Sequence, residues 1–256
     1  MSNHRTMIIA HRGASHLASR ENSIESFLLA IRLQADMAEF DVRRTKDGAL
    51  IVFHDKEFNG RPLSELTYGE MEACARRDGY HIPTFLEVVK LCRGKIRMDI
   101  ELKESGFEER IIRTLRHFCT PADFTIKSFF DIVPYRIKKL WPEVTTGLLL
   151  GRRDFGPRGH FNEYFPLRRV QACKCDFISP HYTLVTREFL HRMHRHHVPV
   201  MPWTVNKLSR ISKYIRMGAD AIITDQPDVA LYIRSKIEGS CRPEGCDLQH
   251  KKGVKR

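Results

Sequence analysis

The feature that most constrains the fold is a repeated alternation of short apolar runs with amphipathic segments. Runs such as MIIA and AIITD are strand-like, while segments such as SIESFLLAIRLQ repeat their apolar residues at helical spacing. Continuously apolar strands that are each followed by a helix are typical of parallel sheets covered on both faces. The alternation therefore predicts an α/β protein with parallel strands.

About eight strand–helix units can be counted, and the count depends on whether LIVFHD is a separate unit; this is the size of a closed (β/α)8 barrel. The competitor is an open doubly wound sheet, which usually carries a glycine-rich phosphate turn after its first strand. HRGASHLASREN is not such a turn. We therefore predict a single-domain TIM-type (β/α)8 barrel over residues 1–237. Residues 238–256 have no apolar periodicity and are predicted to form a disordered basic tail.

Charge and cysteine content narrow the choice of partner and compartment. Lys and Arg number 43 against 31 Asp and Glu, and the net charge of +12 favours anionic partners such as phosphates, nucleic acid or an acidic membrane surface. No apolar run reaches transmembrane length, and the N-terminus lacks the apolar stretch of a signal peptide. The 7 cysteines cannot all pair within one chain, which suits a reducing compartment. We expect a cytoplasmic protein, with peripheral membrane contact left open.

Polar side chains lie at the ends of most predicted strands, where a packed core has no use for them. Barrel enzymes build their sites at the carboxyl ends of the strands, so these side chains are expected to meet at one face. They are His11 and Arg12, Glu39 and Asp41, His54 and Asp55, Glu101 and Lys103, Lys127, and Trp203 and Asn206.

Three of these strand-end residues are carboxylates that suit a metal ion. Glu39 and Asp41 are two apart on a strand, so both side chains point to the same side. Glu101, on the next barrel strand, could supply a third. Hard oxygen ligands of this kind suit Mg²⁺ or Ca²⁺. The alternative is that each carboxylate only forms an ion pair with a neighbouring basic residue.

The remaining strand-end residues suit a phosphate ester. Arg12 offers a guanidinium fork that matches phosphate oxygens, and Lys103 offers a point charge. His11 and His54 can serve as general base and general acid in a displacement at phosphorus. Asp55 either orients His54 or caps the following turn.

The chain resembles the glycerophosphodiester phosphodiesterases, a family of the phospholipase C-like phosphodiesterase superfamily. The resemblance runs in family order from Met7 to about Val229 and covers nearly the whole chain. The matching segments are IAHRGAS, EN, EFDVRRTKDGALIVFHD, IPTFLEVV, MDIELK, TIKSFF, TTGLL, PWTVN and GADAIITDQPD. It implies a TIM-type barrel, a divalent metal, a paired-histidine mechanism, and hydrolysis of a glycerophosphodiester to sn-glycerol 3-phosphate and an alcohol.

The resemblance also implies a role for each matched residue. The acid–base pair is His11 and His54, the metal ligands are Glu39, Asp41 and Glu101, and the phosphate contacts are Arg12 and Lys103. Glu21 and Asn22 match the EN element of the first loop, with Glu21 placed near the metal or its waters. Phe129 and Trp203 match apolar positions near the glycerol pocket.

Two departures from the family pattern bear on substrate choice. Arg20 stands where the family commonly has proline, and KEFNGRP replaces a longer run after HD. The residues between Lys56 and Tyr80 leave little room for the cap that many members carry there and that helps to enclose the alcohol.

The sequence leaves two alternatives to a phosphodiesterase of small diesters. A lysophospholipase D on the same scaffold would need an apolar groove beside the site. A basic nucleic-acid-binding protein with a decayed barrel site would lack catalytic groups, whereas the matched groups are present. No nucleic-acid partner is therefore expected, while the head group, the preferred metal and the oligomeric state stay open.

Overall fold

A computed structural model describes residues 5–151 and 163–239 of the protein. The strands and helices named below all lie within these two ranges. The strands are β1 Met7–Ala10, β2 Met37–Arg44, β3 Leu50–Val52, β4 Glu57–Phe58, β5 Arg61–Pro62, β6 Arg97–Leu102, β7 Phe124–Ser128, β8 Thr145–Leu150, β9 Phe177–Pro180 and β10 Ala221–Thr224. The helices are α1 Ile24–Arg32, α2 Tyr68–Arg77, α3 Phe85–Cys92, α4 Glu108–Phe118, α5 Ile132–Leu140, α6 Leu167–Cys173, α7 Arg187–Arg195, α8 Leu208–Met217 and α9 Pro227–Gly239.

The parallel strands close into a barrel. Seven of them pair in the order β10-β1-β2-β6-β7-β8-β9. The segment 199–205 fills the gap between β9 and β10. On one side the Ile178 N–H donates to the Pro199 carbonyl, and on the other the Val205 N–H donates to the Ile223 carbonyl. This segment is the eighth position of the wall, and the predicted TIM-type (β/α)8 barrel is confirmed.

The run LIVFHD, whose status the sequence left open, is not a unit of the barrel. Its strand β3 is antiparallel to β2, with Val52 opposite Val42. The two strands are joined by a tight turn in which the Gly48 N–H donates to the Thr45 carbonyl, and Gly48 has a φ of +83°. The chain therefore reverses after β2, and His54 reaches the barrel mouth by a hairpin.

The stretch between β3 and α3 folds into a small subdomain, where the sequence analysis leaves little room for a cap. The strands β4 and β5 form a hairpin, and α2 begins at a capping box between Thr67 and Glu70. The subdomain has an apolar cluster of its own, made by Ile51, Phe58, Leu63, Leu66, Met71, Ala75 and Ile82.

The alternation of side chains on β2 separates the apolar core from the barrel interior. Phe40 points outward, where its ring lies 5.7 Å from Phe27 of α1 and 6.3 Å from Phe85 of α3. Glu39 and Asp41, on either side of it, therefore point into the barrel. The interior becomes charged toward its carboxyl end, which is where the site is built.

No helix in residues 5–151 or 163–239 is both long enough and apolar enough to cross a bilayer. The five cysteines in those ranges are free thiols: Cys74, Cys92, Cys119, Cys173 and Cys175. The predicted basic tail, residues 238–256, lies outside the described residues apart from Glu238 and Gly239, which end α9.

Candidate active site

The predicted site residues are gathered at the mouth of the barrel. His11 and Arg12 follow β1, Glu39 and Asp41 lie on β2, and Glu101 lies on β6. Lys103 follows β6, Phe129 follows β7, Trp203 lies in the closing segment, and His54 and Asp55 follow β3. Glu21 and Asn22 come from the loop between β1 and α1.

The turn after β1 has an unusual backbone. Arg12 and Asn22 have positive φ angles of +54° and +52°, which are costly for residues with a side chain. Gly13 follows at +79°, and a Cβ built there would lie only 2.4 Å from Ser26 Oγ. The turn is therefore pressed against the start of α1, which fixes the direction in which His11 and Arg12 leave the strand.

Glu39, Asp41 and Glu101 form a compact cluster. One carboxylate oxygen from each lies within 4.8 Å of the others. Asp41 and Glu101 are register partners on the neighbouring strands β2 and β6. All three residues are buried. The strand pairing itself therefore brings the carboxylates together.

Basic and amide groups surround the cluster. The Lys103 ammonium lies 2.9 Å from Asp41 Oδ1 and 2.6 Å from Glu101 Oε1. Arg12 Nε lies 3.2 Å from Asp41 Oδ2, and the Asn22 amide donates to that same oxygen at 2.9 Å. The Arg12 guanidinium also reaches Glu21 Oε1 at 2.6 Å.

The donor set fits a hard divalent cation. Two buried oxygens, Asp41 Oδ1 and Glu101 Oε1, accept no hydrogen bond of favourable angle although Lys103 is near. Burial raises the pKa of the Glu101 carboxyl, and the adjacent charges of Asp41 and Glu39 add to that. Burial acts in the same direction on Asp41, but Lys103 and Arg12 outweigh it and hold its pKa below the usual range. A cation bound by these oxygens would relieve the mutual repulsion of the carboxylates.

His11 is held by a network that the sequence analysis did not assign. Its Nδ1 lies 2.6 Å from Asp225 Oδ1, and the Ser15 hydroxyl and the Asn206 amide also donate to Asp225. Its other nitrogen, Nε2, faces the cluster at 4.0 Å from Glu39 Oε2. An ionised carboxylate on Nδ1 fixes the ring and leaves Nε2 to the site.

His54 has a more open setting. Its Nδ1 lies 2.8 Å from Asp55 Oδ1, and the Asp55 side chain is 71% exposed. Arg43 Nε donates to the His54 carbonyl at 2.7 Å and so fixes the backbone of the loop. Burial and the charge of Lys103 lower the pKa of His54, so the neutral imidazole is favoured near neutral pH.

The two predicted aromatic residues form one wall of the mouth. The rings of Phe129 and Trp203 are 5.7 Å apart in an edge-to-face arrangement. The Trp203 indole N–H donates to the Ser179 carbonyl at 2.7 Å, which fixes the ring. Both residues remain partly exposed and offer apolar surface to a ligand.

Two further groups at the mouth received no role from the sequence, namely Asp225 and the Lys127–Asp99 pair. Lys127 Nζ lies 2.5 Å from Asp99 Oδ2, and both side chains are buried. Burial opposes the charge of Lys127, but Asp99 and Glu39 outweigh it and raise the pKa of the ammonium. Each could have been found in the sequence as a polar residue within or at the end of an apolar run. The runs are AIITD for Asp225, TIKSFF for Lys127 and MDIELK for Asp99.

A groove of about 690 Å³ opens beside His54. It lies between the loop after β1 and the small subdomain, and it includes Glu21, Asn22 and Asp55. Its walls combine apolar side chains, among them Phe53 and Phe58, with charged ones. Arg20, which stands where the family commonly has proline, is also in the wall. Its guanidinium lies 3.8 Å from the centre of the Tyr80 ring.

Comparisons with known proteins identify the family of the chain. The family model described as the glycerophosphoryl diester phosphodiesterase family matches residues 11–229. A protein of Caldanaerobacter subterraneus named glycerophosphodiester phosphodiesterase is 30% identical over 251 residues, which cover 91% of this chain and 99% of that one. A second protein of that name, from Bacillus altitudinis, is 29% identical over 255 residues, which cover 91% of this chain and 100% of that one.

Solved structures show the same fold. A glycerophosphodiester phosphodiesterase from Parabacteroides distasonis has a TM-score of 0.77 at 23% identity, covering 91% of this chain and 98% of that one. A phosphodiesterase from Oleispira antarctica, in complex with its product sn-glycerol-3-phosphate, has a TM-score of 0.75 at 22% identity, covering 89% and 96%. The chain therefore belongs to the glycerophosphoryl diester phosphodiesterase family, and by that membership it is a hydrolase of phosphoric diesters.

Proposed function

We propose that the protein hydrolyses glycerophosphodiesters to sn-glycerol 3-phosphate and an alcohol, with a divalent cation and two histidines. The observation that carries this proposal is the cluster of Glu39, Asp41 and Glu101 at the barrel mouth, with His11 and Arg12 against it. The Oleispira antarctica phosphodiesterase, which has the same fold, is bound to the expected product.

Glu39, Asp41 and Glu101 would hold the cation, and their hard oxygens favour Mg²⁺ or Ca²⁺. When bound, the ion would stabilise the negative charge that develops on the phosphate oxygens. Arg12 and Lys103 border the same cluster and would contact the remaining phosphate oxygens. The aromatic wall of Phe129 and Trp203 would pack against the glycerol carbons.

The histidines would move two protons in the reaction. One takes a proton from the attacking oxygen as it bonds to phosphorus, and the other gives a proton to the alcohol oxygen as its bond to phosphorus breaks. His11 is oriented by Asp225 with Nε2 toward the cluster. His54, with its lowered pKa, lies at the entrance of the groove. Which histidine is the base is open.

The walls of the groove are mixed, so they suit both candidate substrates in part. Arg20, Glu21, Asp55 and Glu57 suit the polar alcohol of a soluble diester. The apolar residues Phe53 and Phe58 would suit the acyl chain of a lysophospholipid, which is the lysophospholipase D alternative.

The experiment that tests the proposal is a substrate panel. Soluble glycerophosphodiesters with cationic, neutral and anionic alcohols, together with a lysophospholipid, are assayed for release of glycerol 3-phosphate or lysophosphatidate. Each assay is run after chelation and after addition of Mg²⁺ or Ca²⁺. We expect turnover of soluble diesters that is abolished by chelation and restored by one of the two ions. Undiminished turnover after exhaustive chelation would refute the metal assignment, and turnover of the lysophospholipid alone would favour the alternative.

The paired-histidine mechanism needs its own test. His11→Ala and His54→Ala should each lower kcat by about 10²–10⁴-fold, with cation binding retained. The loss in the double variant should be far smaller than the product of the two single losses, because the residues act as a unit. An aryl diester, whose leaving group needs little protonation, should rescue only the acid variant. Losses of only a few-fold in both single variants, without rescue, would refute the mechanism.

A further inference from the structure

Lys127 is a buried, charged side chain that has no role in the proposed hydrolysis. It points into the barrel from β7, its side chain is only 2% exposed, and its ammonium lies 2.5 Å from Asp99 Oδ2. The same ammonium lies 3.6 Å from Oε1 of Glu39, a candidate metal ligand. The Thr125 hydroxyl donates to the other Asp99 oxygen at 2.8 Å, so the pair is held in place.

Stability alone does not account for this pair. Taking two charges out of water costs several kcal/mol for each ion, and apolar residues of similar volume often serve a fold equally well. The pair lies on the strands that also carry Glu39 and Glu101, since Glu39 is the register partner of Asp99 and Glu101 that of Lys127. Its charge therefore acts where the cation and the phosphate would bind.

Carboxylates outnumber cations in the mouth. In the buried cluster, four carboxylates lie against three cations, and metal binding requires the ligand carboxylates to be ionised. These groups are Glu39, Asp41, Asp99, Glu101, Arg12, Lys103 and Lys127. The more exposed carboxylates of Glu21 and Asp225 border the cluster at Arg12 and His11. Each buried positive charge therefore opposes a divalent cation and favours a phosphodiester monoanion.

We propose that the buried charge of Lys127, 3.6 Å from Glu39 Oε1, tunes the electrostatic balance of the site between the divalent cation and the anionic phosphodiester. This rests on the proposed metal site. It has two consequences of opposite sign. The charge of Lys127 weakens the binding of the divalent cation, and it strengthens the binding of the anionic substrate.

The test uses Asp99→Asn as its background, because Lys127→Met alone would leave Asp99 buried without its partner. The decisive comparison is Asp99→Asn against the double variant Asp99→Asn/Lys127→Met, which differ only at position 127. Mg²⁺ dissociation constants are measured by calorimetry without substrate, and KM for a soluble diester is measured at saturating Mg²⁺. Unfolding curves establish that each variant is folded.

We expect the double variant to bind Mg²⁺ about tenfold or more tightly than Asp99→Asn. The reason is that a buried positive charge 3.6 Å from a candidate ligand oxygen is removed. Its KM for the diester should rise by a similar factor. Lys138→Met is the matched control, because Lys138 pairs with Asp176, which binds the Thr146 N–H at the start of β8, the opposite end of the barrel. It should leave both constants unaltered.

The outcomes separate this inference from the proposed function. If the wild-type protein binds neither Mg²⁺ nor Ca²⁺, the metal assignment itself is wrong. If it binds Mg²⁺ but the double variant binds the ion as weakly as Asp99→Asn, or more weakly, the inference is overturned, and Lys127 only holds Glu39 in place. An unchanged KM for the diester alongside tighter Mg²⁺ binding would also overturn it.

Discussion

Arg12 is committed to the site through both its backbone and its side chain. Its main-chain N–H donates to Glu39 Oε2 at 3.0 Å, while its guanidinium spans Glu21 and Asp41. It does this in a left-handed backbone conformation that costs about 1–3 kcal/mol for a residue with a side chain. Strain of this kind persists where the surrounding structure holds a functional geometry in place.

The first prediction is that Arg12→Lys is damaging although the charge is kept. A lysine ammonium is a point charge and cannot span Glu21 and Asp41 while presenting a fork to phosphate. We expect kcat/KM to fall by tenfold or more, about 1.4 kcal/mol of transition-state stabilisation. Steady-state kinetics measure this, with Arg5→Lys as the control, since Arg5 is 61% exposed and pairs with Asp36. Wild-type kinetics in Arg12→Lys would make Arg12 a structural ion-pair residue.

A second prediction concerns the glycine beside it. Gly13→Ala combines a positive φ of +79° with a Cβ only 2.6 Å from the carbonyl carbon of Ser26. Gly94→Ala is the matched control, with a φ of +69° and nothing within 4 Å of its Cβ. The control should lower the free energy of unfolding by about 1 kcal/mol, and Gly13→Ala should lower it clearly more. Urea denaturation measures both values. Equal losses would mean that the turn relaxes away from α1.

At the scale of elements, Asp225 joins three parts of the barrel. It follows β10, accepts a hydrogen bond from Asn206 after the closing segment, and holds His11 after β1. The Asn206 side-chain carbonyl in turn accepts from the Asp225 N–H at 3.0 Å and from the Thr224 hydroxyl at 3.1 Å. This network fixes the seam where the first and last strands meet.

The third prediction is that the stability of Asp225→Asn depends less on acid pH than that of the wild-type protein. Although burial opposes it, hydrogen bonding to His11, Asn206 and Ser15 lowers the pKa of Asp225 to about 2, below its ordinary value of 3.8. Its contribution to stability is therefore complete above pH 3.8 and is lost as the pH falls through about 2. The free energy of unfolding, measured in urea from pH 5 to pH 2, should fall less steeply in the variant. Asp55→Asn, at an exposed carboxylate, should keep the wild-type slope; identical slopes in all three proteins would contradict the prediction.

The apolar runs of the sequence predict the barrel strands well, since a strand buried on both faces needs little besides apolar residues. They do not predict β4, β5 or α2, because two-residue strands have no period and the apolar residues of α2 are few. The direction of β3 could have been predicted from Asp47-Gly48, a strong hairpin signal between two extended runs. The spacing of Glu39 and Asp41 predicts that they lie on the same side of one strand. The contact between Asp225 and His11 could not be predicted in this way, because it forms only when the barrel closes.

For the molecule as a whole, the distribution of charge matters more than its sum. The chain carries a net charge of +12, yet its mouth contains a cluster of buried carboxylates. A basic surface draws anionic substrates toward the protein, while the carboxylates give a cation a binding place within that positive field. The two opposite preferences can thus be met at one site.

The last prediction links that site to the stability of the whole barrel. Glu39 and Asp41 come from β2 and Glu101 from β6, so a bound cation would tie together neighbouring strands of the wall. An ion that binds only the folded state stabilises it by about 2.7 kcal/mol at 100 times its dissociation constant. For a chain of this size that corresponds to a rise in Tm of about 5–10 °C. We expect such a rise when Mg²⁺ or Ca²⁺ is added to chelated protein and followed by calorimetry, and none with Na⁺ at equal ionic strength. Asp41→Asn, which removes one ligand charge at nearly constant volume, should lose most of the rise. A Tm that neither ion changes in the wild-type protein would show that the three carboxylates are only partners of Arg12, Lys103 and Lys127.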